Sequence, residues 1–179
     1  MVRSQQFSRL SISLHWLTLA LLIGVYACIE LRELYPRGSE PREALKMWHF
    51  MLGLTVFVLV WARLFARILG TRPLIFPPVP KWQAVVATIV EFSLYLLMVV
   101  LPLLGWLTLS AEGDPIPFFG LQLPALVSEN KQLAERAEAL HVTLATTGYF
   151  LIGLHAAAAL FHHYVQRDNT LKRMLPSRN

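Results

Sequence analysis

Residues 141–164 read HVTLATTGYFLIGLHAAAALFHHY, apolar over a membrane-spanning length yet holding four of the chain's six histidines. On an α-helix His141 and His155, fourteen positions apart, project from nearly one face, about 21 Å apart along the axis. Imidazoles inside hydrocarbon are costly unless they have partners, so such a stretch carries function. It predicts a helix that holds two metal centres, one near each side of a bilayer.

Three further apolar runs accompany it, giving spans at about 11–31, 48–68, 82–110 and 139–165. None alternates as a β-barrel strand would, so the expected fold class is an all-α membrane protein, four transmembrane helices in one up-down bundle over residues 1–179. With 55% hydrophobic and 15% charged residues the chain is too apolar for an ordinary soluble domain. The net charge of +5 arises from basic residues flanking apolar runs, with no basic stripe interleaved with aromatics, so nucleic acid is not an expected partner and membrane lipid is. Cys28 stands alone in an apolar run, which excludes a disulfide framework and a thiolate metal site. The first run has a charged leader but extends past signal-peptide length and contains a histidine, so it is expected to remain as a span.

Charge sets the orientation. With the N-terminus inside, Arg3, Arg9, Arg63, Arg67, Arg72, Lys81, Arg167, Lys172, Arg173 and Arg178 are cytoplasmic. Arg32, Arg37, Arg42, Lys46, Lys131 and Arg136 are then outside. Ten against six favours both termini in the cytoplasm. The connection TRPLIFPPVP should be extended and stiff. The apolar connection DPIPFFGLQLPAL should fold back over the outer end of the bundle. Pro102 predicts a kink or an early end to span three. Ser128 reads as the N-cap of a fourth helix starting at Glu129.

Read against this topology, the histidines sort by depth into two pairs, His15 with His155 on the inner side and His49 with His141 on the outer side. Each pair draws on two different helices, as a bis-imidazole haem in a bundle requires, and two imidazoles per iron favour electron transfer over oxygen binding. A lone membrane histidine usually just packs; two matched pairs point to two haem groups. Zinc suits the pairs poorly, because neither depth offers a carboxylate or thiolate to complete its ligand set. Gly53, Gly148 and Gly153 would let a flat macrocycle approach the backbone, although glycine also serves helix packing. His162 and His163, near the inner pair, are candidates to hydrogen-bond a quinone or relay a proton, the alternative being rings that face headgroups. Glu91, a carboxylate well inside span three, is expected to be protonated, paired with an arginine such as Arg63, or part of a proton path. Arg63 and Arg67 can meet haem propionates or simply snorkel to the interface.

SRLSISLHWL at the start, the histidine opening span two, and GYFLIGLHAAAALFHHYVQRDNTLKRMLP at the end resemble the bacterial cytochrome b561 family over nearly the whole chain. Within that family the chain is most similar to the superoxide oxidase type. The resemblance implies two haem b groups, on His15 and His155 and on His49 and His141, with His162 at the quinone. It implies an oxidoreductase of the bacterial inner membrane that passes electrons from superoxide to ubiquinone. A protein partner is allowed but not required. Span three carries Glu91 where the family often has a histidine, which leaves the proton path open. Two rivals remain: a haem-b subunit linking a partner dehydrogenase to quinone, and a transporter or scaffold without haem.

Overall fold

The structure, a computed structural model, describes residues 6–176; Arg3 and Arg178 of the charge count lie outside the described residues. Among those residues four helices are long and apolar enough to cross a membrane. They are α1 (Arg9–Leu31), α2 (Glu40–Leu69), α3 (Lys81–Glu112) and α4 (Lys131–Phe161), the last continuing into a single π-helical turn, His162–Gln166. Helices α2 and α4 begin about two turns before the apolar runs they contain. Glu40 and Glu43 in the first turn of α2, with Pro at its start, suit a helix end that emerges from lipid.

Ser8 caps α1, its Oγ accepting the Ser11 amide at 3.1 Å. Asn130, not Ser128, caps α4: its Oδ1 accepts the Leu133 amide at 3.0 Å, so the helix begins at Lys131 rather than Glu129. Pro102 does not end α3 early, and the helix runs on to Glu112. It stops at Gly113, whose φ of 76° few other residues tolerate. The Gly113 amide bonds back to the Ser110 carbonyl.

Packing divides the bundle into two helical hairpins. α1 lies along α2, α3 lies along α4, and the narrower α2–α3 contact joins the halves. Val56 and Val60 of α2 are buried against Met98 of α3, with Leu21, Leu22 and Val25 of α1 closing round them. Outward, Phe65, Phe92 and Phe150 are each two-thirds or more exposed, as side chains solvated by lipid tails must be.

The connection after α3 does fold back, as a two-stranded antiparallel hairpin: β1 (Ile116–Phe118) and β2 (Leu121–Leu123), with Phe118 opposite Leu121. Its two-residue loop, Phe119-Gly120, has both φ values positive (47° and 85°), which matches strand twist. Ile116 is buried against Leu54 and Leu109, with Phe50 and Trp106 around them, so the hairpin roofs one end of α2 and α3.

At the opposite end the start of α1 meets the segment after α4. The Phe7 amide donates to the Arg173 carbonyl at 3.1 Å, and Trp16 Nε1 donates to the Met174 carbonyl at 2.8 Å. The connection at residues 71–80 is non-helical, as its prolines require. Asn169 holds it: its Oδ1 accepts the Phe76 amide at 2.8 Å and its Nδ2 donates to the Leu74 carbonyl.

Candidate functional site

A cavity of about 1410 Å³ runs through the bundle, lined by His15, His49, His141, His155 and His162. This is well above the few hundred cubic ångströms of an ordinary small-ligand site, and suits more than one large planar group.

At the hairpin end His49 of α2 faces His141 of α4, with ring centres 6.1 Å apart. At the terminal end His15 of α1 and His155 of α4 are 6.2 Å apart. A metal about 2 Å from one nitrogen of each ring, with roughly 1 Å more from nitrogen to ring centre, separates two imidazole centres by about 6 Å. Both pairs have that spacing, and no other group among the described residues forms a cluster of three or more potential metal-binding side chains. Two-histidine ligation at two levels is the arrangement available.

The outer shell fixes the rings at the hairpin end. His49 Nδ1 donates to the Val25 carbonyl and His141 Nδ1 donates to the Leu101 carbonyl, both at 3.0 Å. A carbonyl can only accept, so both protons are on Nδ1 and both Nε2 lone pairs are free to bind iron. Gly53 leaves open space where a Cβ would stand, one turn along from His49. Gly105, which the sequence reading passed over, lets the His141 ring lie against α3, an added Cβ there being 3.6 Å from Cε1.

The terminal-end pair is held differently. Arg63 Nη2 donates to His15 Nδ1 at 3.3 Å, so the neutral His15 ring carries its proton on Nε2. Iron at Nε2 therefore requires the guanidinium to release Nδ1, so the residues fit the group once Arg63 turns aside. Of the alternatives for Glu91, pairing with an arginine holds, but the arginine is Arg67 and not Arg63. That carboxylate bonds Arg67 through both oxygens, and both guanidiniums sit over the Tyr95 ring at 5.4 and 5.6 Å. One helical turn separates the two arginines, and Arg67 is the one level with Glu91.

Gly148 lines the cavity, but the place an added Cβ would take there is filled. The Tyr26 hydroxyl fills its place and donates to the Ala145 carbonyl at 2.9 Å, while the Tyr149 hydroxyl donates to Glu30 at 2.7 Å. These bonds bridge α1 and α4. Gly153 has nothing near the position of an added Cβ.

Of the two boundary histidines, the structure brings His162 to the cavity and not His163, whose ring meets Tyr164 at 4.8 Å. His162 Nδ1 bonds Asp168 Oδ2 at 2.6 Å. Asp168 is 3% exposed and was missed in the sequence, lying past the apolar run in what reads as a polar tail. Burial pushes its carboxyl up, but the His162 ring and Thr170 outweigh that and hold it below the ordinary range.

At the hairpin end Arg32, Arg37, Arg42 and Lys46 line the mouth of the cavity. The Arg42 guanidinium bonds Glu33 at 2.8 Å and holds its carboxyl below the usual range. Lys46 pairs with Asp114 at 3.7 Å. Arg37 is exposed and has no carboxylate partner among the described residues.

The family model described as "Prokaryotic cytochrome b561" matches residues 6–177. Cytochrome b561 homolog 1 of Escherichia coli K12 is 40% identical over 97% of this chain and 98% of that protein. A Yersinia pestis protein named as probable superoxide oxidase CybB is 39% identical over the same shares. Cytochrome b562 of Cereibacter sphaeroides is 30% identical over 99% of this chain and all of that protein.

Proposed function

The chain belongs to the prokaryotic cytochrome b561 family of membrane haem-b electron carriers, and we propose that it is a di-haem enzyme of the bacterial inner membrane that oxidises superoxide and reduces ubiquinone. The observation that carries this reading is the pair of imidazole pairs, each with ring centres about 6 Å apart, at two depths of one bundle. His49 and His141 would hold the outer haem and His15 and His155 the inner one. Haem held by each pair would supply one-electron exchange.

The protein's own groups do the rest. The Val25 and Leu101 carbonyls keep the outer rings in the ligating tautomer. Arg63, on leaving His15, is placed to meet a haem propionate, with Arg67 held back by Glu91. With both termini in the cytoplasm, as the charge distribution favours, the hairpin end faces outward. There Arg37, with no carboxylate partner among the described residues, would join Arg32, Arg42 and Lys46 in drawing a small anion toward the cavity mouth. At the other end His162 would meet the quinone. Two superoxide anions yield two O2 and two electrons; with two protons these convert one quinone to its quinol.

The test is stopped-flow mixing of the oxidised, purified protein with superoxide. Rapid appearance of the reduced haem bands, followed by reoxidation on adding ubiquinone, is expected. Bands that superoxide leaves oxidised, while a copurifying dehydrogenase reduces them, would refute superoxide as donor.

A further inference from the structure

Past α4 the chain does not simply leave the bundle. After the π-helical turn Arg167 adopts a left-handed conformation (φ 56°, ψ 33°) and reverses the backbone, and the Asp168 amide donates to the His162 carbonyl at 3.1 Å. This closed loop buries the Asp168 side chain directly beside the His162 ring. One carboxylate oxygen takes the ring nitrogen at 2.6 Å, and the other accepts the Thr170 amide at 2.8 Å. Anchorage of the tail does not rest on this acid alone, since Asn169 also clamps it to the connection between α2 and α3. An acid spent on an imidazole, almost out of contact with water, is the arrangement that orients a proton-transferring histidine and stabilises its cation.

We propose that Asp168 is a positioning residue for quinone reduction, holding His162 by Nδ1 so that Nε2 is the atom that hands protons to the quinone oxygens. This rests on the reading that a benzoquinone is reduced at this end of the cavity. His162 takes up a proton at Nε2, becomes an imidazolium paired with the carboxylate, and passes that proton to a quinone oxygen as an electron arrives. Two such deliveries with two electrons complete the quinol. Asp168 stays ionised throughout, and its charge lets the ring become a cation in a site of low polarity.

The test uses full-length protein with both haems, reduced chemically and mixed with a short-chain dimethoxybenzoquinone. Asp168→Asn keeps an oxygen for the Thr170 amide but loses the charge. It should slow maximal reoxidation by about ten- to a hundred-fold, leaving haem content, spectrum and the half-saturating quinone concentration nearly unchanged. The solvent deuterium isotope effect should rise in that variant as proton delivery becomes limiting. Asp168→Glu should recover part of the rate. If His162→Ala is slow while Asp168→Asn is as fast as the parent, the quinone site stands and the role of Asp168 is overturned. If His162→Ala is itself fast, the site reading falls. Should Asp168→Asn not retain its haems, Asp168→Glu alone decides: a rate several-fold below the parent supports the pairing, and an unchanged rate overturns it.

Discussion

Gly148 offers a perturbation whose sign depends on one hydroxyl. A Cβ added there would stand 2.6 Å from Tyr26 Oη, against ordinary contacts of 3.4 Å and more, so in Gly148→Ala the phenol must shift. Moving it breaks the bond to the Ala145 carbonyl, about 1 kcal/mol net. It also disturbs the pairing of the Tyr26 and Tyr149 rings, whose centres are 4.2 Å apart, worth about 0.5–1.5 kcal/mol. Against this, alanine gains about 1 kcal/mol over glycine inside a helix. The single variant should lose about 1 kcal/mol. In a Tyr26→Phe background the clashing oxygen is gone and the next neighbour, Leu97 Cδ1, is at an ordinary 3.8 Å. There the same substitution should gain about 1 kcal/mol, a coupling of about 2 kcal/mol between the two sites. Thermal unfolding of all four proteins, followed by circular dichroism, reads this as opposite shifts of roughly 2–4 °C. Equal shifts in both backgrounds would refute the steric account.

His141→Ala and His155→Ala should each remove one of two haems per chain, measured as the pyridine haemochrome; unchanged content in either contradicts the pairing. Cysteine labels placed at the two ends should react only from the cytoplasmic side of vesicles, and an outward C-terminus would reverse the assignment of donor and acceptor ends. Asp168 has its carboxyl held below 3.8, the ordinary value, so its ionised contacts stabilise the tail fully above about pH 4 and are lost as pH falls through the lowered value. Hydrogen exchange at residues 166–176 should therefore stay slow at pH 5 and accelerate only once the pH has fallen below the ordinary value of 3.8; acceleration already at pH 6 would implicate another group.

The spans were legible because hydrocarbon demands unbroken apolar runs, and a run survives any error about its neighbours. Helix starts were less so: residues 40–47 and 131–138 are polar because they stand in water, and hydropathy does not distinguish such a turn from a loop. Ser128 and Asn130 are both competent caps, and which of them serves is settled by where the chain turns, not by residue type. The hairpin of residues 116–123 was visible only as an apolar loop, since strands of three residues are too short for alternation to register. Depth matched the histidines without coordinates because helix rise is constant. The partner of Glu91 could not be matched this way, because Arg63 and Arg67 lie one turn apart on nearly the same face. Asp168 was hidden for a different reason: its proximity to His162 comes from a chain reversal at Arg167, and a single left-handed residue leaves almost no trace in composition.

The division into α1–α2 and α3–α4 has a consequence for how the molecule is assembled. Each proposed iron would take one ligand from each half, His15 or His49 on one side and His155 or His141 on the other. The cofactors would then act as rivets between two plates that are otherwise only lightly seamed, and part of their binding free energy would become cohesion of the bundle. A cell short of haem would accumulate the halves inserted but gaping, a form open to membrane proteases.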